Sequence, residues 1–179
     1  PLLTTAYDAH KKWWENFWKR SWIIVERDDD AQWVSQMYAL QRWITACGSR
    51  GEFPVKFNGS IFTVERREKG KVTSDPDYRR WGGGYWWQNT RLPYWPLLSS
   101  GDYDLMFPLW NLYMTVIDIS KIRNKVWWNC EGIYMPETIY FWGLHRNRDY
   151  GFDREGLKVG DVDNRYIRWM WGSGVELVM

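Results

Sequence analysis

TAYDAHKKWWENFWKRSW, residues 5–22, reads as an amphipathic helix running from about Ala6 to Trp22. Thr5 with Asp8 three residues later resembles a capping box, and Lys19 and Arg20 suit the negative end of the helix dipole. His10, Trp13, Trp14, Phe17 and Ser21 recur at helical spacing and share one face. A second stretch, DDDAQWVSQMYALQRWITACG at 28–48, repeats the pattern. Its acidic run complements a helix N-terminus, Trp33, Met37, Leu40, Ile44 and Cys47 form an apolar stripe, and Gly48 or Gly51 supplies the stop. Two antiparallel helices joined by a short polar turn make an αα-hairpin, so the expected class is all-α.

Outward from this pair the helical period fades and returns. Residues 49–96 are rich in Gly, Pro and aromatics. They hold one expected β-hairpin, around Ser60–Glu65 and Lys71–Thr73, turning through Glu68–Gly70. A third helix is predicted after Gly101–Asp102, with Pro108 in its first turn and Leu105, Leu109, Leu112, Tyr113 and Val116 as its stripe. It continues, after a kink, toward Trp128. A second irregular stretch, 129–164, precedes a final helix marked by Ile167, Met170, Trp171, Val175 and Val178. The chain therefore reads as one domain over 1–179. Pro1 at the start, and an apolar stripe that reaches Met179 without a Gly, Asn or Pro stop, lead us to expect a piece truncated at both ends.

The charge balance narrows the partners. Twenty-four basic and 22 acidic residues leave a net charge of +2, too small a field to steer nucleic acid. Every apolar run is short and interrupted by charge, so no membrane span is expected. Cys47 and Cys130 could pair or remain free thiols. Two histidines and two cysteines without clustered spacing predict no His/Cys metal site, and no organic cofactor is implied. Gly82-Gly83-Gly84 lacks the Lys-Ser/Thr of a phosphate loop and reads better as a close backbone approach or unusual φ between Trp81 and Tyr85. Gly172-Ser173-Gly174 lacks the spacing of a serine-hydrolase elbow.

Sixteen tryptophans, within an aromatic content of 19%, are the compositional outlier. Aromatic faces pack on the C–H faces of sugar rings and their polar tips bond hydroxyls. They also fill helical cores, which suits Trp13, Trp14, Trp18, Trp33 and Trp43. Two loop stretches stand apart. In residues 81–96, Gln88, Asn89 and Arg91 lie among six aromatic rings, a composition suited to a ligand with many hydroxyls. In residues 130–143, Glu137 sits among Met135, Pro136, Ile139, Tyr140, Phe141 and Trp142. Apolar surroundings disfavour a carboxylate and raise its pKa, as a general acid at a glycosidic oxygen requires. Glu137 equally suits a surface helix N-terminus after Pro136, where it would stabilise the dipole.

Four segments resemble the catalytic region of six-hairpin glycosidases, nearest to glycoside hydrolase family 95, the α-L-fucosidase-like group, and its relatives. They are WENFWKRSW (14–22), FPVKFNGSIFT (53–63), WGGGYWWQNTRLPYWPLL (81–98) and GIYMPETIYFWG (132–143). The resemblance implies a partial (α/α)6 barrel with long loops and a small β-hairpin insertion, and hydrolysis of O-glycosidic bonds with inversion. It places the general acid on Glu137 and a water-positioning amide on Asn89. Where that family has a second asparagine this chain has Trp87, and the family's catalytic aspartate lies in a later region. Trp81, Trp87, Gln88, Arg91, Asn58 and Trp142 are the expected substrate contacts, and a carbohydrate the expected partner. A carbohydrate-binding module without catalysis, and a structural helical domain, are the alternatives from other classes.

Overall fold

The computed structural model of the chain describes residues 2–56, 65–74, 84–144, 155–156, 158 and 170–178. Helices dominate: α1 (Leu2–Trp18), α2 (Asp29–Gly48), α3 (Trp87–Thr90), α4 (Trp95–Ser100), α5 (Phe107–Thr115), α6 (Ile117–Trp128) and α7 (Gly172–Val178). Four short strands accompany them, β1 (Arg66–Glu68), β2 (Lys71–Ser74), β3 (Tyr85–Trp86) and β4 (Thr138–Ile139).

The first two helices are antiparallel. Moving along α2 from Tyr38 to Arg42 and on to Arg50 just past its end, the partners on the first segment run backwards. Ser21 bonds the Tyr38 hydroxyl at 2.7 Å, Arg42 lies 4.2 Å over the Phe17 ring, and Arg50 lies 4.2 Å over Trp13. Asp28 caps α2 by accepting the Ala31 N–H at 2.9 Å, and Asp29 and Asp30 lie in the first turn, where the acidic run was expected to complement the dipole. α1 both begins and ends earlier than the sequence suggests. Thr5 lies inside it, and the chain leaves the helix at Lys19–Arg20. The reason is tertiary: Arg20 reaches Asp102 at 3.2 Å and also binds Asp104, while the Trp22 indole N–H caps the Trp18 carbonyl.

The buried face of α2 is not the predicted stripe. Ala31, Arg42, Thr45 and Ala46 are buried, whereas Trp33 and Leu40 are exposed and Met37, Ile44 and Cys47 half-buried. The rotation follows from Arg42. Its guanidinium binds Asp102 Oδ1 and Oδ2, each at 2.9 Å, and donates to the Ser21 and Phe17 carbonyls at 2.6 and 3.3 Å. Ser100 adds a bond to Asp102 at 2.6 Å. A buried carboxylate without such partners costs far more than a partly exposed Trp, so the ion pair sets the helix rotation.

The rest of the core gathers on α4–α6. Leu97, Leu105, Met106, Leu109, Leu112, Tyr113 and Val116 form one cluster with Phe17, Tyr85, Trp87, Met135 and Ile139. Trp13, Trp14 and Trp18 pack against it half-buried, while Trp33 and Trp43 are exposed and do not join it. The predicted third helix is a 3₁₀ turn at Tyr103–Met106 followed by α5 and α6, broken at Val116 (φ −99°, ψ 11°). The β-hairpin pairs Arg66–Glu68 with Lys71–Ser74 through Lys69–Gly70, both at positive φ, a turn whose twist matches the strands. Of the expected first strand, Ser60–Glu65, residues 60–64 lie outside the described residues and Glu65 precedes the strand observed at Arg66–Glu68. Both cysteines are free, Cys47 half-buried and Cys130 exposed. Among the described residues no helix is long and apolar enough to cross a membrane.

Candidate active site

Two strands missed by sequence reading bring the two unusual loops together. Tyr85 and Trp86 pair antiparallel with Ile139 and Thr138. Gly84 permits the approach, because a Cβ there would sit 2.7 Å from Thr138 Cγ2. This bears out the reading of that glycine as a close contact; Gly82, Gly83 and Trp81 lie outside the described residues, as does Asn58. Past the strand the chain turns into α3, and the Trp87 N–H continues the pairing by donating to the Glu137 carbonyl at 2.7 Å.

The Glu137 loop is clasped from the other side by α6. Arg123, itself buried, donates to the Tyr134 carbonyl at 3.1 Å and also binds the Gly143 carbonyl. Asn124 donates to the carbonyls of Cys130 and Glu131, both at 3.0 Å. These bonds satisfy a loop that has little ladder of its own, and they fix it where Glu137 points inward. Neither Arg123 nor Asn124 stood out in the sequence, since both read as the polar face of a helix.

Glu137 is 3% exposed and immediately precedes β4, so the alternative of a surface helix N-terminus is overturned. The Gln88 N–H donates to its Oε1 at 2.6 Å. Burial pushes the carboxyl above its ordinary range, opposed by that amide and by the Arg91 charge, and assisted by Glu176. Tyr113, buried on α5, meets Trp87 edge-on with centroids 5.3 Å apart. Its phenol is also raised, first by burial and then by Glu137, and its hydroxyl has no hydrogen-bond partner among the described residues.

Glu176 was not anticipated. Of the apolar stripe expected on the final helix, Trp171, Val175 and Val178 are exposed. The helix buries Ser173 and turns Glu176 toward α3. There Glu176 Oε2 accepts the Trp87 indole N–H at 2.9 Å and the Arg91 guanidinium at 2.7 Å. Trp87 and Arg91 are four residues apart, which places them on one face of the turn. The signal available in the sequence was a lone acid in an apolar helix stripe.

The remaining expected residues are spread further. Gln88 acts through its main chain, with the residue exposed. Asn89 is half-buried and lines a cavity of about 610 Å³ with Met37, Ile44, Lys56 and Leu92. Lys56 reaches the Gly84 carbonyl at 3.3 Å and sits 4.1 Å over the Tyr85 ring; burial lowers its pKa. Trp142 is partly exposed and stacks on Tyr140 with centroids 4.6 Å apart. Glu137, Trp87, Gln88 and Arg91 thus form one cluster, to which Tyr113 and Glu176 are added. Among the described residues no group of three or more His, Cys, Asp and Glu could hold a metal ion. No family model, curated protein or solved structure matches the chain.

Proposed function

We propose that the chain is a catalytic part of a glycoside hydrolase and that Glu137 is its general acid, protonating the leaving oxygen of a carbohydrate substrate. The observation that carries this reading is the carboxyl itself. It is buried, it has one oxygen engaged by the Gln88 amide, and burial favours its proton. A carboxyl whose burial raises its pKa is better suited to hand on a proton than an exposed one, as a general acid must. The antiparallel α1 and α2 suit the first hairpin of a partial (α/α)6 barrel. In the inverting reaction that the resemblance implies, Asn89 would hold a water on the far face of the sugar, and a carboxylate roughly 6.5–9.5 Å away would activate it.

The test is Glu137→Gln in the active enzyme. Gln keeps the shape and removes the proton, so turnover of glycosides with poor leaving groups should fall about 10²–10⁴-fold. Activated aryl glycosides need less protonation and should lose far less. Equal losses on both would make Glu137 structural. Sugar binding that persists unchanged, in a protein that turns over neither substrate, would favour a carbohydrate-binding module.

A further inference from the structure

The polar groups around Glu137 come from three elements. Gln88 and Arg91 belong to the α3 turn, Tyr113 to α5, and Glu176 to α7. Two of these carry opposite charges, and they are joined. Arg91 binds both oxygens of Glu176, at 2.5 and 2.7 Å, and lies 4.6 Å over the Trp95 ring. Trp87, whose amide holds the Glu137 carbonyl, gives its indole N–H to the same carboxylate. Lys56 is engaged with the Gly84 carbonyl and the Tyr85 ring.

We propose that Glu176 is a positioning residue for Glu137: it locks the α3 turn through Trp87 and Arg91, and it cancels the Arg91 charge beside the Glu137 carboxyl. The geometry gives Glu176 two separable tasks. The first is steric, since the turn that carries the Gln88 amide is tied to α7 at two points. The second is electrostatic. A guanidinium left alone beside a buried carboxyl would stabilise the anion and draw the proton off. With Glu176 bound to it, the pair is close to neutral, which leaves burial, opposed by the Gln88 amide, to govern the Glu137 proton. Glu176 itself is not required to touch substrate. The role in catalysis rests on Glu137 being the general acid, but the electrostatic claim stands on the cluster alone.

The experiment is a pH titration of the Glu137 carboxyl by ¹³C NMR on the whole chain, with the resonance assigned by its loss in Glu137→Gln. In Glu176→Gln, which can still accept the indole and guanidinium bonds, the midpoint should move to lower pH. In Arg91→Gln it should move to higher pH. In the double variant it should return toward the wild-type value, because both charges are gone. A midpoint unmoved or raised in Glu176→Gln overturns the proposal. So does a double variant that stays as low as Glu176→Gln, since the effect would then not run through Arg91. Should Glu176→Gln fail to fold, an unmoved midpoint in Arg91→Gln overturns the proposal equally. If the shifts appear but no glycoside is turned over, the charge arrangement is upheld and the glycosidase reading fails.

Discussion

At the scale of single residues, Glu137 combines a poor site for stability with a good one for proton transfer. Burial makes its native state hold a proton to higher pH than the unfolded chain, whose glutamate titrates near the ordinary 4.5. The native state therefore binds more protons above that pH, and stability from this site falls as pH rises through the interval between the two pKa values. Glu137→Gln removes the cost of an anion in an apolar site. Its melting temperature should exceed that of the wild type at pH 7, and the difference should shrink as pH falls toward 4.5 and level off below it. Thermal melts followed by circular dichroism across that range check this; a gap independent of pH would mean that burial does not disfavour the charge. Tyr94 shows the complementary case. Its phenol is pushed up to about 12 by burial while accepting the Val55 N–H at 2.8 Å, and it serves as a fixed acceptor under the 53–56 segment.

Among the elements, the ion pair of Arg42 with Asp102 joins three pieces: the end of α1, the middle of α2 and the turn after α4. Both side chains are essentially inaccessible, at 2% and 0%. Removing one partner leaves the other charged and buried, which typically costs about 3–5 kcal/mol. Arg42→Met should show that loss in urea unfolding, and Arg42→Met with Asp102→Asn should recover much of it. A single variant within about 0.5 kcal/mol of wild type, the usual range for surface changes, would show that the pair is not a structural hub. α7 follows the same logic on a smaller scale. Its apolar residues Val175 and Val178 face outward because Glu176 is held inward by Trp87 and Arg91.

For the whole molecule, the exposed apolar surface is the dominant feature. Trp22, Ile23, Ile24 and Val25 are all exposed, and the Val25 N–H bonds the Ser35 hydroxyl at 2.8 Å. That bond lays the segment beside α2, where Trp33 and Val34 are exposed too. Large apolar side chains exposed side by side favour association, since soluble monomers seldom gather them in one place. The purified chain should bind a hydrophobic dye and gain mass with concentration in light scattering, and Ile24→Lys with Trp33→Lys should reduce both. A monodisperse monomer without dye binding at all concentrations would contradict this.

Local chemistry alone determined the helical class, the antiparallel pair, the acidic start of α2, the Lys69–Gly70 turn and the kinked helix through Val116. Each rests on spacing or capping within a few residues, which the chain carries wherever it lies. Glu137 was also legible, as an acid in an apolar run. Its burial was not, since Pro136-Glu137 begins a helix as readily as a strand. Pairing of 85–86 with 138–139 joins residues more than 50 positions apart, and no local pattern encodes it. The rotation of α2 and the inward turn of Glu176 belong to the same class. In the first, leaving the buried Arg42–Asp102 charges without partners would cost more than leaving Trp33 in water. In the second, a part-buried pair with Arg91 and the Trp87 indole, both distant in sequence, hold Glu176.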